Sequence, residues 1–308
     1  IPQFGIAEGL WKAFFHAVSA FCNAGFDLMG QREAFSNLSD YAQDPLVNLV
    51  IIALIVMGGL GFLVWHDLRA NRKWNRLSVH TRLVLIMTAL LLIGGTLAIF
   101  VLEYSNPQTL GNMPVGNRVL ASLFQATTCR TAGFNTIDQG ALRSGTAVIC
   151  ILLMFVGGSS GSTAGGIKTT SIAVLILAAW SVLRSRRDIT VFHRRIEERL
   201  VLQAVALVMA ALGLILMGNF ILYTADNVSV ERALYETVSA FSTTGLSENL
   251  TPTLGVVSKC WLILEMYLGR IGILTLGAAV FTRRIFEPKI RYPESKVIDS
   301  RPVSDNNS

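Results

Sequence analysis

Long apolar stretches alternate with short polar ones along the whole chain. Uninterrupted apolar runs occupy 46–66, 83–103, 199–223 and 256–282, and two shorter runs, 144–157 and 166–183, flank a segment rich in glycine and serine. A helix crosses the hydrocarbon core of a bilayer in about 20 residues. The four long runs therefore predict spanning helices, and the two short ones predict the halves of one interrupted span. Between the runs lie shorter amphipathic stretches, GLWKAFFHAV (9–18), NRVLASLFQA (117–126) and ERALYETV (231–238). Each has helical apolar spacing for about three turns, too few to span.

These short stretches mark an internal repeat. SAFCNAGF (19–26), TTCRTAGF (127–134) and SAFSTTGL (239–246) follow them, aligned on Gly25, Gly133 and Gly245 at separations of 108 and 112 residues. A second glycine landmark then sits in the next apolar run: MGGLGF (57–62), VGGSSG (156–161) and LGRIGI (268–273). The unit reads spanning helix, short helix, glycine loop, spanning helix. In the first copy the loop-to-landmark distance is longer, with the extra residues in the polar segment 27–44. FVGGSSGSTAGGIKTTSIAVLI (155–176) is expected to be the copy in which the spanning helix is broken; the other two landmarks are expected only to thin it.

Composition agrees with the pattern. Of 308 residues 52% are hydrophobic and 15% charged, against about a quarter charged in soluble domains. The expected fold class is an all-α polytopic membrane protein built of helix–pore-loop–helix units. The net charge of +6 is concentrated in three segments that border apolar runs, from Arg69 to Arg82, from Arg184 to Arg199 and from Arg283 to Arg301. The positive-inside rule places all three in the cytoplasm, so the basic excess reports topology and no nucleic-acid partner is expected. The organisation that follows is 1–66 as the rest of a repeat, 67–82 as a basic loop, 83–183 as a repeat with an interrupted helix, 184–198 as a second basic loop, 199–282 as a further repeat and 283–308 as a cytoplasmic tail. Multi-pass insertion in the plasma (inner) membrane is the expected location. The cysteines, Cys22, Cys129, Cys150 and Cys260, have no metal-ligand spacing and read as buried small hydrophobes.

With both ends of each spanning pair inside, the short helices and glycine loops must enter from the outside. Polar backbone at membrane depth is tolerated only within protein or beside a water-filled cavity. Unwound backbone there offers carbonyl oxygens that replace a cation's hydration shell, and glycine leaves those carbonyls free to turn inward. Asn23, Thr127, Thr128, Thr131, Ser242, Thr243 and Thr244 add neutral oxygens, and the eight-residue motifs hold no carboxylate. This favours a weakly hydrated monovalent cation and passage without covalent chemistry.

Two enzyme motifs overlap the 155–176 segment. Gly157 to Gly161 fits G-x-S-x-G, which would make Ser159 the nucleophile of an intramembrane serine hydrolase; none of His16, His66, His80 and His193 is placed by sequence to serve as its base. Gly161 to Thr169 has one residue too many for a phosphate-binding loop and lacks a preceding strand. Lys168 and Arg270 lie in apolar surroundings. Arg270 stands thirteen residues before Arg283, too deep for easy snorkelling and so a functional candidate; Lys168 reads equally as an interfacial lysine or a holder of the loop. Arg130 is read as bracing its loop from behind, Glu103 as an outer-interface residue, and Glu265 as a counter-charge to Arg270 or a partner of some other polar group.

On these motifs the sequence resembles the Trk/Ktr/HKT superfamily of potassium transporters, and most closely their bacterial KtrB-type membrane subunits. SAFCNAGF, FQATTCRTAGFNTID and SAFSTTGL resemble pore loops two to four, VGGSSGSTAGGIKTT the interrupted helix, YLGRIGILTL the last helix with its arginine, and IRYPESKV the tail. The resemblance implies potassium uptake through an ion filter at Asn23, Ala24, Gly25, Thr131, Ala132, Gly133, Thr243, Thr244 and Gly245. It also implies an intramembrane gate formed by Gly157, Gly158, Ser159, Ser160, Gly161, Ser162, Thr163, Ala164, Gly165 and Gly166 with Lys168 and Arg270. No covalently bound cofactor is implied. Potassium is the cargo, sodium is left open as a second or coupled ion, and nucleotide enters only through a regulatory partner. The implied assembly is a homodimer in the lipid bilayer, docked on a cytosolic nucleotide-binding regulatory ring. A chain opening at Ile1 with three of four loops is expected to be a fragment. Ser159 hydrolysis and another monovalent cation channel are the competing readings.

Overall fold

The computed structural model describes residues 4–30, 37–186 and 188–272. Helix α1 (Ile6–Phe21) leads into the first glycine loop and packs on α2 (Pro45–Leu60). Helix α2 starts where Pro45 presets the backbone and the Asp44 carboxylate accepts the N–H groups of Leu46 at 2.9 Å and Val47 at 3.2 Å, both orphan donors of a first turn. Helix α3 (Phe62–Ala70) follows with an 89° bend. Helix α4 (Val79–Glu103), capped by the Ser78 hydroxyl 3.2 Å from Thr81 N, and α8 (Glu198–Asp226) are apolar and long enough to cross a membrane, as is the bent α2–α3 pair taken together. Helices α5 (Val115–Thr128) and α9 (Val230–Phe241) lead into the second and third glycine loops. The interrupted span is α6 (Ser144–Phe155) and α7 (Thr169–Leu183), and α10 (Val256–Ile271) closes the described chain.

The apolar pattern located these helices, with differences at their ends. Helix α4 begins at 79 where the apolar run begins at 83, since the polar first turn is held by its cap. Helix α1 has 16 residues, longer than its three-turn pattern. Inside 184–198 two short strands, β1 (Thr190–Val191) and β2 (Arg194–Arg195), form a hairpin. The last part of the 256–282 run and the 283–308 tail lie outside the described residues.

One expectation is overturned. The first glycine landmark is also a break, not a thinning, because Gly61 takes a left-handed φ of 84°. The two broken spans then satisfy each other. Phe62 N donates to Gly161 O (3.1 Å), Ser159 N to Gly59 O (3.0 Å) and Thr163 N to Gly58 O (3.3 Å). Backbone groups freed at membrane depth must find partners inside the protein, and here each break supplies the other's.

The main core joins α4, α5, α6, α8 and α9 around Ile99, Ala126, Cys150, Met154, Ile215 and Tyr235. Leu90, Ile93, Leu97 and Val101 on α4, with Leu202, Met209, Leu216 and Phe220 on α8, are exposed, as large side chains facing lipid are. All four thiols are free; Cys129 and Cys150 are buried as expected, whereas Cys22 and Cys260 are exposed.

Candidate functional site: three glycine loops over an interrupted helix

Each short helix ends on a residue in the left-handed conformation that is not glycine: Asn23 (φ 50°), Thr131 (φ 66°) and Thr243 (φ 55°). In the first and third loops the ends have the same form. Asn23 N donates to Ala20 O and Ala24 N to Ser19 O, as Thr243 N does to Ala240 O and Thr244 N to Ser239 O. This is the double hydrogen bond of a Schellman cap. Two residues on, Gly25 (71°), Gly133 (86°) and Gly245 (88°) are left-handed again, with Ala24, Ala132 and Thr244 between. Alternating handedness turns successive peptide units the same way, with carbonyls collected on one side and N–H groups on the other. Hydroxyls hold the outer ends of two loops: Ser19 Oγ donates to Phe26 O at 2.8 Å and Thr128 Oγ1 to Phe134 O at 2.7 Å.

The loops touch one another through their glycines. A Cβ on Gly25 would strike Ala132 O and lie 2.9 Å from Gly133 Cα; one on Gly133 would strike Thr244 O. No room exists for a side chain at either position. Gly245 meets nothing within 4 Å, so among the described residues the three loops form an open arc. The middle loop, Thr131 to Phe134, is buried throughout, while Ala24 and Gly245 are exposed.

The interrupted segment lies against the ends of all three short helices. Thr163 Oγ1 donates to Phe21 O (3.0 Å), Arg130 Nη2 donates to Gly157 O (3.3 Å), and Gly165 packs on Ser242 O and Thr243. Within it, Gly157 N donates to Ile167 O at 2.9 Å, and Gly161 (φ 74°) and Gly166 (φ 66°) make the left-handed turns. Gly158 is pressed against Ala164, and Ser162 Oγ donates to Ser159 O at 2.6 Å. Ser160 Oγ lies 3.3 Å from Thr170 Oγ1. Two cations hold adjacent carbonyls: Lys168 Nζ donates to Ala164 O and Arg270 Nη1 to Thr163 O, each at 2.7 Å. Arg130 thus reaches from the second glycine loop to the start of the break. The Ser159 hydroxyl donates to Leu60 O, and among the described residues no histidine bonds to it.

Several supporting groups escaped the sequence. Glu103, at the end of α4, is fully buried; it accepts from Asn106 Nδ2 (2.6 Å), Thr109 Oγ1 (2.6 Å), Arg143 N (2.9 Å) and Thr146 Oγ1 (2.5 Å), tying α4 to the start of α6. Behind the second loop, Gln125 and Gln139 exchange amide hydrogen bonds (2.7 and 3.1 Å), and Tyr235 Oη donates to Gln139 Oε1 at 3.0 Å. Behind the third, Glu236 accepts from Ser247 Oγ (2.5 Å) and Thr251 Oγ1 (2.8 Å). In the loop that follows, burial pushes the Glu248 carboxyl above the usual carboxylate range, opposed by Arg232, whose Nε lies 3.6 Å away. Glu265 is not paired with Arg270; it accepts from Trp261 Nε1 at 2.9 Å and sits against Gly218 of α8. A capping carboxylate and a lipid-interface carboxylate look alike in sequence, so only the fold separates them.

Long apolar helices, short helices that end at membrane depth and glycine loops between them define a multi-pass membrane protein of the pore-loop class. Residues 4–289 match the TrkH family, described as cation transport proteins, and the chain belongs to that family as a KtrB-type member. It is 42% identical over 298 residues, 96% of its length, to Ktr system potassium uptake protein B of Bacillus subtilis, covering 65% of that protein. Over 97% of its length it is 36% identical to potassium/sodium uptake protein NtpJ of Enterococcus hirae, covering 66% of it. The chain thus spans about two thirds of these curated relatives. The crystal structure of the potassium transporter TrkH from Vibrio parahaemolyticus shares the fold, with TM-score 0.70, 19% identity, and 88% of this chain and 58% of that one covered. Membership of a family of transport proteins also places the chain outside the enzymes, in keeping with a Ser159 hydroxyl already engaged by a carbonyl.

Proposed function

We propose that the three glycine loops form part of a selectivity filter for potassium, and that 157–166 with Lys168 and Arg270 forms a gate beneath it. The observation that carries this reading is the repeated left-handed pair, Asn23 and Gly25, Thr131 and Gly133, Thr243 and Gly245, in loops that touch through their glycines. Carbonyls gathered in this way replace water around a large monovalent cation. The absence of carboxylates from the loops disfavours divalent ions, and potassium is the ion named for the relatives; one is named for sodium as well. A closed ring of carbonyls needs another wall between Gly25 and Gly245. The basic ends lie in the cytoplasm by the positive-inside rule, where they would receive a regulatory ring subunit, and the protein would work as a homodimer.

The gate reading rests on hydrogen bonding. A polar segment that breaks an apolar span is held by two cations and by the ends of the three short helices that carry the glycine loops. The test is Gly133→Ser in the protein carrying this chain, assayed by potassium and sodium flux. A Cβ at φ 86° facing Thr244 O must displace the loop, so potassium over sodium discrimination should fall by ten-fold or more. Unchanged discrimination in a folded protein would overturn the filter assignment.

A further inference from the structure

The basic end of the bundle contains two adjoining clefts that the ion pathway does not use. One, of about 690 Å³, lies between the α3–α4 turn and the β1–β2 hairpin and is lined by Arg76, Arg82, Phe192, His193 and Arg194, with Asp67 on its wall. The other, of about 770 Å³, runs between α4, α7 and α8 past Leu83, Val174, Leu200 and Ala204. They share Ser78, Val79 and Arg194. The combined space therefore has a cationic head and a mainly apolar arm, and the arm reaches Ser160 and Thr170 at the break between α6 and α7.

The head is net positive, with Arg76, Arg82 and Arg194 set against the single carboxylate of Asp67. Arg195 is paired with Asp188 (3.0 Å) and Glu198 (3.7 Å), whereas among the described residues no carboxylate lies within ion-pair distance of Arg76, Arg82 or Arg194. The Asp67 carboxylate keeps its charge but is turned to Ser78 N and Asn71 Nδ2, from which it accepts at 2.9 Å each, and it makes no ion pair with these arginines. Arg82 is set in place, with Nη2 on Asn75 O at 2.5 Å and its guanidinium 5.3 Å from the Phe192 ring, yet its buried Nε has no partner. His80 Nε2, beside the apolar arm, is likewise buried and unpartnered. The hairpin tip carries Phe192 (φ 48°) and His193 (φ 64°), where such turns favour Asn-Gly. Holding two bulky residues left-handed is costly, and it aims both at the cleft.

We propose that these clefts bind one anionic phospholipid of the cytoplasmic leaflet, its phosphate at Arg76, Arg82 and Arg194 and an acyl chain along Val174 and Leu200. Charge complementarity selects the head group, as in basic pockets between spanning helices. The apolar arm distinguishes a lipid from an acidic peptide or free phosphate, neither of which gains from burying Leu83 or Ala204. Because the arm ends on Ser160, occupancy would bear on the interrupted helix.

Native mass spectrometry of the full chain in detergent, titrated with phosphatidylglycerol or phosphatidylcholine of equal chain length, tests this. Phosphatidylglycerol should bind at least ten-fold more tightly, and Arg76→Gln with Arg194→Gln, both exposed positions, should remove most of that preference. Val174→Trp, which fills the arm, should weaken a long-chain phosphatidylglycerol while leaving its dihexanoyl analogue unaffected. Equal binding of phosphatidylcholine, full retention of phosphatidylglycerol by the folded double variant, or displacement by inorganic phosphate or polyglutamate would overturn the proposal.

Discussion

Thr131 and Thr243 hold a conformation that β-branched residues adopt only at a cost of about 1–2 kcal/mol each. Their Oγ1 atoms are buried without hydrogen-bond partners among the described residues. Neither feature improves stability, and both recur at the same place in the repeat, as strain kept for function does. The glycines two residues on were legible in sequence because three copies align. The left-handed threonines were not, since nothing in their side chains announces it. Ser159 shows the opposite: a motif legible in sequence that the fold explains otherwise. Its hydroxyl reaches from one broken helix to Leu60 O of the other. Ser159→Ala should lower thermal stability by about 1 kcal/mol, the net worth of one such bond, and leave ion uptake largely intact. Labelling of Ser159 by a fluorophosphonate probe would revive the hydrolase reading.

At the scale of elements, the second glycine landmark has a packing role that repeats. Gly58 of α2 abuts Phe21 O, the last carbonyl of α1, and Gly269 of α10 abuts Phe241 O, the last carbonyl of α9. In both copies a spanning helix comes within backbone contact of the short helix in its own repeat, and a Cβ would occupy the carbonyl's place. Gly58→Ala and Gly269→Ala should each destabilise the protein by about 1–3 kcal/mol, read as a drop in unfolding temperature in detergent; an unchanged midpoint for both would mean that the helices separate freely. The sequence located these glycines as a repeat, but the 89° bend at Gly61 could not be told from helix thinning. A left-handed glycine is needed for a break, and a partner for the freed backbone is needed for it to persist. That partner, Gly161 O, lies 99 positions from Phe62, whose N–H it accepts.

For the molecule as a whole, the interrupted segment is where independent parts meet: three short-helix ends, the bent α2–α3 pair, Lys168 and Arg270. If it closes the pathway, deleting 158–165 should raise potassium flux several-fold in a folded protein, and Arg270→Ala should raise it to a lesser degree by releasing Thr163 O. A fall in flux from both variants, with folding intact, would argue for a loop that builds the pathway instead of closing it. Arg270 stood out in sequence as a charge within an apolar run. Its partner did not, because Glu265 is nearer in sequence and the helix turns that carboxylate toward Trp261 on another face.

The sequence by itself determined the membrane class, the number and order of apolar segments, the threefold repetition in this chain and the position of its glycine loops. Each follows from local chemistry: apolar length against bilayer thickness, helical periodicity, and the freedom of glycine at positive φ. Tertiary structure alone decided which carbonyls those glycines face, that two spans break and bond to each other, that Glu103 is buried among four donors, and that basic side chains from separate loops line one cleft. These are pairings between residues tens to more than a hundred positions apart, and the energy of satisfying a polar group inside a membrane depends on the partner it meets, which no local pattern specifies.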